Sequence, residues 1–273
     1  MAAHDDHGVP ERPSLAARLE RFFFLRLGGL IGILVYFVLF DGSGRSEEGL
    51  RRALLWALIA HGAYLLAARW RGELKQFDLA FALFFAAAGA CVALGVPGAV
   101  PLLQAYSPAL VFATFALGAL LPPLLGGEPF TFQFMRRTLL GWQLRLPVTW
   151  DIGRVLWLYW VGVFAACTAL AAWRPADPLY TALYPNLLVF GPGFGGNALL
   201  PRLYLRLWPP PPPETIEPWI MGMPAVFDRR AARGVRADIQ FCFSGEEAGD
   251  YWVRIADGRC RAFEGRAPAP DVA

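Results

Sequence analysis

Charged residues and cysteines are both scarce in this sequence of 273 residues. Asp, Glu, Lys and Arg make up 17% of the chain, compared with roughly a quarter in typical soluble domains. The four cysteines lie too far apart for a disulfide framework or a metal-ligand motif. A net charge of +3 is too small to indicate nucleic acid as a partner. The sequence also lacks a Gly-x-Ser-x-Gly motif and a cysteine near a usable histidine, so it predicts neither an enzyme nor a metal or cofactor site.

Apolar residues, in contrast, are abundant: the set AVILMFWYC makes up 56% of the chain and aromatic residues make up 14%. A helix that crosses about 30 Å of hydrocarbon needs about 20 mostly apolar residues, and six segments reach or approach that length. They are Phe22–Phe40, Ala53–Trp70, Leu79–Val96, Ser107–Leu125, Ile152–Trp173 and Tyr180–Tyr204. The sequence therefore predicts an α-helical polytopic membrane protein with about six transmembrane helices within residues 22–207.

Arg and Lys residues are distributed unevenly between the two sides of this membrane domain. If the N-terminal arm, residues 1–21, lies in the cytoplasm, twelve of them flank the helices on that side and four on the other. Cytoplasmic loops are enriched in Arg and Lys, so both termini are predicted to be cytoplasmic. The chain has 24 Arg and a single Lys, which is typical of a GC-rich bacterial genome and favours the inner membrane as the location.

His61 lies near the middle of the second predicted span, where an uncompensated ionisable group is costly. Two interpretations stay open. A neutral imidazole could form a structural hydrogen bond to a hydroxyl or carbonyl group of a neighbouring helix. A proton relay would need a second intramembrane histidine or carboxylate, and the interiors of the predicted spans contain no Asp or Glu. The sequence therefore favours the structural interpretation.

The sixth predicted span contains Gly191-Pro-Gly-Phe-Gly-Gly196, which matches Gly-x-Gly-x-x-Gly. The dinucleotide fingerprint also needs a repeating strand–helix fold around it, and this region has none. Pro185, Pro192 and the glycines are expected to kink or interrupt the helix, or to allow close helix packing. An interrupted helix with Asn186 and Asn197 nearby could instead expose main-chain carbonyls to a solute, as in transporters.

The fourth loop mixes aromatic residues with arginines. Phe130, Phe132 and Phe134 lie close to Arg136 and Arg137. This combination is typical of an amphipathic segment that lies among lipid headgroups. A cytoplasmic loop with ordinary aromatic anchors has the same composition, so both interpretations stay open.

A more polar tail follows the membrane domain. Residues 208–213, a tryptophan and five consecutive prolines, predict a stiff polyproline linker. In the tail, residues 214–273, 18 of 60 residues are charged, which is close to the soluble norm. Ile216–Val235 predicts a helical region, and Asp257-Gly258 is typical of a hairpin turn. Three strands are predicted, at Ala237–Ser244, Tyr251–Ile255 and Cys260–Phe263. The tail is therefore expected to be a small cytoplasmic α+β unit.

Five short runs in the tail occur in the order found in one known family. They are Met223-Pro-Ala-Val-Phe227, Ile239-Gln-Phe-Cys-Phe-Ser-Gly245, Tyr251-Trp-Val-Arg-Ile-Ala-Asp-Gly-Arg-Cys260, Glu264-Gly265 and Pro268-Ala-Pro-Asp271. Together they resemble the front half of a sterol carrier protein type 2 (lipid-transfer) domain. That family folds as a five-stranded sheet with helices that enclose an apolar tunnel for fatty acyl groups or sterols. It continues past the Pro-Asp position with two more strands and closing helices, so the tail is expected to be either truncated or a remnant.

The resemblance implies a lipid-binding face on the tail. Its candidate lining residues are Ile239, Phe241, Phe243, Val253 and Ile255. The alternative role of the same five side chains is the core of a small sheet. A fatty acyl or sterol-like ligand, the lipids of the membrane and a second copy of the chain are the candidate partners.

The run Glu128-Pro-Phe-Thr-Phe-Gln-Phe-Met-Arg136 resembles a segment of bacterial polytopic proteins related to the intracellular septation protein group. That resemblance implies an inner-membrane location and no particular chemistry. The first functional hypothesis is therefore a non-catalytic membrane protein with a cytoplasmic lipid-binding tail. The second is a small-solute transporter or a septation-type membrane scaffold, in which the tail is only an appendage.

Overall fold

The structure is a computed structural model that describes residues 28–272 except 73, 140–142, 145, 212, 213 and 229. The N-terminal arm, the first residues of the first predicted span and two prolines of the linker lie outside the described residues. The chain divides into two compact units. The first contains residues 1–133 and 154–200, and the second contains 134–153 and 201–273.

The first unit is helical. A 3₁₀ turn at Gly28–Leu30 precedes helices α1 (Ile31–Gly42), α2 (Glu47–Trp70), α3 (Gln76–Ala93), α4 (Ala99–Leu124), α5 (Phe130–Thr138), α6 (Pro147–Trp173), α7 (Tyr184–Leu188) and α8 (Phe194–Leu207). The start of α6 and the ends of α5 and α8 belong to the second unit. Among the described residues, α2, α3, α4 and α6 have the length and composition of membrane-spanning helices, and α1 is a shorter apolar helix. The predicted helical membrane domain is thus confirmed for four helices, and the count of six stays a prediction.

Local capping accompanies the early start of α2, which begins before the apolar segment does. Ser46 precedes α2, and its hydroxyl accepts a hydrogen bond from the Gly49 amide at 3.1 Å. Glu47 and Glu48 then occupy the first turn, where carboxylates interact favourably with the helix dipole. Helix α2 therefore starts well before Ala53, the predicted beginning of the second span, because hydropathy detects only the apolar part of a helix.

Helices α1 to α4 form consecutive antiparallel neighbours, since turns of only four or five residues join them. Tyr36, Phe81 and Phe85 are fully buried between them. Many large apolar side chains of these helices point outward and are exposed, among them Leu66 at 73% and Leu83 at 71%. An apolar exterior around an aromatic core is the arrangement expected when lipid is the solvent.

The fourth loop contributes α5 to the bundle. Phe130 and Phe132 are each only 6% exposed, and the Phe130 ring centroid lies 4.8 Å from that of Phe77 on α3. The two aromatic side chains thus fill the protein core, and neither of the two interpretations given for this loop anticipates that. Burial of a phenyl ring among other rings gives a larger apolar contact area than a position among headgroups.

The last predicted span is a continuous helix with irregular turns. Two π-helical turns, Leu179–Leu183 and Val189–Gly193, flank α7, and Pro192 lies within the second. Proline lacks the N–H group that an α-helix needs, and a π turn accommodates the lost hydrogen bond. The prolines therefore interrupt the regular α-helix, as the sequence predicts, without separating it into two halves.

The tail belongs to the second unit and forms the predicted α+β element. It comprises α9 (Ile216–Val226) and the strands β1 (Ala237–Phe243), β2 (Gly249–Ala256) and β3 (Arg259–Glu264), paired antiparallel in the order β1-β2-β3. Asp257 and Gly258 both have positive φ, at 52° and 66°, as a two-residue type I′ hairpin requires. Helix α9 packs against β2 and β3.

The predicted helical region of the tail is longer than the observed helix. Helix α9 ends at Val226, and Phe227 has an extended backbone with φ −67° and ψ 122°. The Asp228 carboxylate then accepts hydrogen bonds from the amides of Arg230 and Ala231 at 2.8 and 3.2 Å. These bonds stabilise a turn that competes with continued helix.

The outer edge of β1 is partly paired by residues near the C-terminus. The Gln240 amide donates to the Val272 carbonyl at 2.7 Å, and the Asp271 amide donates to the Asp238 carbonyl at 2.8 Å. Ile239 and Val272 form a parallel bridge. The segment that follows Pro270 therefore runs along β1, where a fourth strand of the sheet would lie.

Candidate functional site

His61 is fully buried in α2 and contacts the beginning of α3. Its Nε2 atom lies 2.8 Å from the main-chain oxygen of Asp78. A carbonyl oxygen can only accept, so Nε2 must carry the hydrogen atom of this bond. The rings of Phe81 and Phe85 surround the imidazole, with centroids 6.5 and 5.9 Å away.

Asp78 places a carboxylate beside His61. Helix α3 begins at Gln76, earlier than the predicted span at Leu79, so Asp78 lies inside the helix and is only 1% exposed. Its Oδ2 atom accepts a hydrogen bond from the main-chain N–H of Lys75 at 2.9 Å, as the third residue of a helix does in a capping box. The Tyr64 hydroxyl lies 3.4 Å from the same oxygen.

Asp78 thus lies outside the predicted span, Leu79–Val96, but in the first turn of the helix that contains it. The sequence analysis did not anticipate this buried carboxylate because the span was bounded by hydropathy, which ends where polar residues begin. The pattern of an acidic residue at the third position of a helix, before an apolar run, could have revealed the earlier start.

His61 lies more than two helical turns before the end of α2. His61 is nine residues before Trp70, the last residue of α2, which corresponds to about 13 Å along a helix axis. Trp70 is 96% exposed and lies between Arg69 and Arg71, as expected at a membrane–water interface.

Two atoms of the His61–Asp78 pair are buried without a hydrogen-bond partner in the described part of the chain: Nδ1 of His61 and Oδ1 of Asp78. Glycines of the first helical segment pack against the same two side chains. A Cβ atom at Gly29 would lie 2.7 Å from Oδ1 of Asp78, and one at Gly32 would lie 2.9 Å from Cβ of His61. A larger residue at either position would force a neighbouring side chain to move.

The two predicted intramembrane asparagines do not join this pair. The Asn186 side-chain amide donates to the Ala182 carbonyl one turn earlier, at 2.8 Å. The Asn197 side-chain oxygen accepts a hydrogen bond from the Trp160 indole of α6 at 2.9 Å.

Two main-chain carbonyl groups of this irregular helix have partners on α6. The Tyr159 hydroxyl donates to the Pro192 carbonyl. The Cys167 thiol donates to the Pro185 carbonyl at 3.5 Å, and that carbonyl also accepts from the Val189 amide of its own helix. These two carbonyls are therefore bound within the protein.

In the tail, the five predicted lining residues share one face of the sheet. Ile239 is opposite Val253 and Ala237 is opposite Ile255, whereas Phe241 is opposite Tyr251. The rings of Phe241 and Phe243 are almost parallel, at 4°, with centroids 6.4 Å apart. Within the set Ile239, Phe241, Phe243, Val253 and Ile255, only Val253 is buried and the other four are half-buried.

The opposite face of the sheet is held by polar and aromatic contacts. Gln240 is buried there, and its side-chain oxygen accepts a hydrogen bond from the Ala267 amide at 2.6 Å. Trp252 stacks on Phe263 with centroids 4.2 Å apart. These contacts hold the segment after β3 against this face, opposite the one that carries Phe241 and Phe243.

An ion pair also lies on that opposite face. Arg254 donates two hydrogen bonds to the Asp238 carboxylate, at 2.8 and 2.6 Å. These hydrogen bonds lower the pKa of Asp238 from its ordinary value. The pair joins β1 to β2, since the two residues are directly opposite in the register.

No protein-family model, no curated protein and no solved structure matches this chain.

Proposed function

We propose that this chain is a non-catalytic integral membrane protein whose tail binds fatty acyl or sterol-like lipid through one face of its sheet. The observation that carries the proposal is the half-buried apolar face formed by Ile239, Phe241, Phe243 and Ile255 around the buried Val253. A contiguous patch of apolar side chains that remains partly exposed usually marks a binding surface for another molecule.

The shape of the face suits lipid. The near-parallel rings of Phe241 and Phe243 stack along β1 and add aromatic area to this face, where an extended acyl chain or a fused ring system would make many contacts of about 0.1–0.2 kcal/mol each. Asp238 and Arg254 lie on the other side of the sheet, and Glu264 of β3, opposite Tyr251, is a charged residue on this face. The apolar strip on β1 and β2 therefore fits the apolar body of a slender ligand.

The tail is held close to the last helix. Helix α8 ends at Leu207 and α9 begins at Ile216, so the connecting residues span at most about 25 Å even as an extended polyproline helix at about 3.1 Å per residue. Trp208, at the start of the linker, is 62% exposed, and tryptophan is enriched at membrane–water interfaces. A lipid taken from the bilayer surface would therefore have a short path to the tail.

The proposal builds on the resemblance of the tail to sterol carrier protein type 2 domains. That resemblance implies two further strands after the Pro-Asp position. The Asp271 and Val272 backbones pair with the outer edge of β1, which is where an added strand extends the sheet. Additional strands on this side would enlarge the apolar face next to Ile239 and Phe241.

The proposal includes the cellular orientation. With both termini in the cytoplasm, most Arg and Lys residues lie on the cytoplasmic side. The tail would then bind lipids of the inner leaflet of the bacterial inner membrane.

The proposal can be tested with the full chain in lipid nanodiscs and a fluorescent fatty acid. We expect Phe241→Gln and Phe243→Gln, separately and together, to weaken binding at least about tenfold, since each removes roughly 1.5–3 kcal/mol of apolar burial. Cys242→Ser is the matched control, because Cys242 lies between them on the opposite side of β1 and is exposed. Equal binding by all four variants would contradict the proposal.

The alternative is a small-solute transporter or a septation-type scaffold in which the tail is an appendage. The buried His61–Asp78 pair favours the transporter over the scaffold, since intramembrane ionisable residues often mark solute or proton pathways. Solute flux into vesicles that contain the purified chain, abolished by Asp78→Asn, would support the transporter and not the lipid-binding tail.

A further inference from the structure

The hydrogen bond between His61 and α3 fixes which nitrogen atom of the imidazole is available. Nε2 donates to the main-chain oxygen of Asp78 at 2.8 Å. In the neutral ring, Nδ1 therefore carries a lone pair and can accept a proton. Nδ1 is buried and has no partner among the residues that the structure describes.

The Asp78 carboxylate presents a second basic atom in the same pocket. Oδ2 already accepts from the Lys75 amide at 2.9 Å and lies 3.4 Å from the Tyr64 hydroxyl. Oδ1 is buried and, within the described ranges, has no partner. Two buried acceptors without a donor in the described part of the chain are unfavourable, because each loses its hydrogen bonds to water and gains none within the protein. One added proton would convert one of them into a donor.

The space beside these atoms excludes larger ligands. The backbone of Gly29 is so close to Oδ1 that even a Cβ atom there would lie 2.7 Å from it. No group of three or more His, Cys, Asp or Glu residues that could hold a metal ion occurs in the described part of the chain. The phenyl rings of Phe81 and Phe85 close the pocket around the imidazole. A proton needs no such space.

We propose that His61 and Asp78 form an intramembrane proton-binding site that holds one exchangeable proton at Nδ1 of His61 or Oδ1 of Asp78. Proton uptake breaks no bond and needs no co-reactant; it changes the charge of the pair by +1. Among the described residues, the other titratable groups that face the pair are Tyr64 on α2 and Lys75 at the start of α3. The described residues of the first helical segment that contact the pair most closely are Gly29 and Gly32.

The test is an infrared pH titration of the full chain in phosphatidylcholine vesicles, between about pH 5 and 8. A protonated buried carboxyl group gives a C=O stretching band separate from that of water-exposed carboxyl groups. We expect such a band in the wild type, its loss in Asp78→Asn and a shifted midpoint in His61→Gln. Glu48→Gln is the matched control, since it removes an exposed carboxylate from α2 and should leave the band unchanged.

A second measurement keeps the proposal testable if Asp78→Asn does not insert. In the ¹⁵N NMR spectrum of histidine-labelled chain, the Nδ1 signal that disappears in His61→Gln should move with pH if the proton is held on the ring. A pH-dependent change in either the carboxyl band or the Nδ1 signal supports the site. A carboxyl band that persists in Asp78→Asn, or no pH-dependent change in either observable, would overturn it.

Discussion

The close approach of α1 to His61 makes a sharp prediction about Gly32. A methyl group added in Gly32→Ala would lie 2.7 Å from Cε2 of Phe85 and 2.9 Å from Cβ of His61. Both atoms belong to fully buried side chains, so neither can move without disturbing the aromatic core. Overpacking of this kind costs about 1–3 kcal/mol.

A second effect of the substitution has the opposite sign. Alanine is favoured over glycine within a helix by about 0.8–1.0 kcal/mol. The expected net effect of Gly32→Ala is therefore a destabilisation of up to about 2 kcal/mol. Gly62→Ala is the matched control, because Gly62 is next to His61 in α2 and a Cβ atom there would have no neighbour within 4 Å. It should stabilise the helix by up to about 1 kcal/mol.

The assay is the thermal unfolding of the purified full chain in a mild detergent, followed by intrinsic tryptophan fluorescence. We expect the transition temperature to fall for Gly32→Ala and to rise or stay constant for Gly62→Ala. If Gly32→Ala were as stable as Gly62→Ala, α1 would not lie against His61 and Phe85, and the packing described for the first unit would be refuted.

Three further predictions concern the tail and the membrane topology. Trp252→Ala should unfold the tail, since removing a buried tryptophan costs about 3–5 kcal/mol; faster proteolysis of the tail in the full chain would show this, and unchanged proteolysis would contradict it. Arg254 lowers the pKa of Asp238, so their ion pair stabilises the tail at pH values above the ordinary carboxyl pKa. This contribution, about 1 kcal/mol or less, is lost as the pH falls through the lowered pKa of Asp238. Asp238→Asn should therefore make the stability of the tail less dependent on pH in the acid range. An unchanged pH dependence of tail unfolding would refute the role of the pair. In a cysteine-free background, a cysteine at Val96 should react with an impermeant thiol reagent from outside and one at Arg266 should not; the reverse pattern would invert the topology.

Sequence patterns predicted the regular elements well where one signal dominated. The alternation of apolar residues located β1 and β2, and Asp257-Gly258 located the hairpin turn because both residues tolerate positive φ. The register that places Phe241 and Phe243 on one face follows from the period of two residues in a strand. Hydropathy likewise located the four long apolar helices.

The same patterns could not predict features that depend on tertiary contacts. Asp78 was placed outside the third span because its capping role extends the helix beyond the apolar run. Ser107, the predicted start of the fourth span, is buried inside α4. The Tyr36 hydroxyl lies 2.5 Å from the Ser107 hydroxyl. The side-chain partners of the Pro192 and Pro185 carbonyls lie on another helix, so no local pattern reveals them.

The central claim is that the face around Phe241 and Phe243 contacts lipid. It is tested most directly by photo-crosslinking the full chain in nanodiscs with a photoactivatable fatty acid, followed by mass spectrometry of the labelled peptides. We predict label on residues 237–243, and its loss when both phenylalanines are replaced by glutamine but not in Cys242→Ser. Label confined to the transmembrane helices, with none on this strand, would contradict the lipid-binding function of the tail.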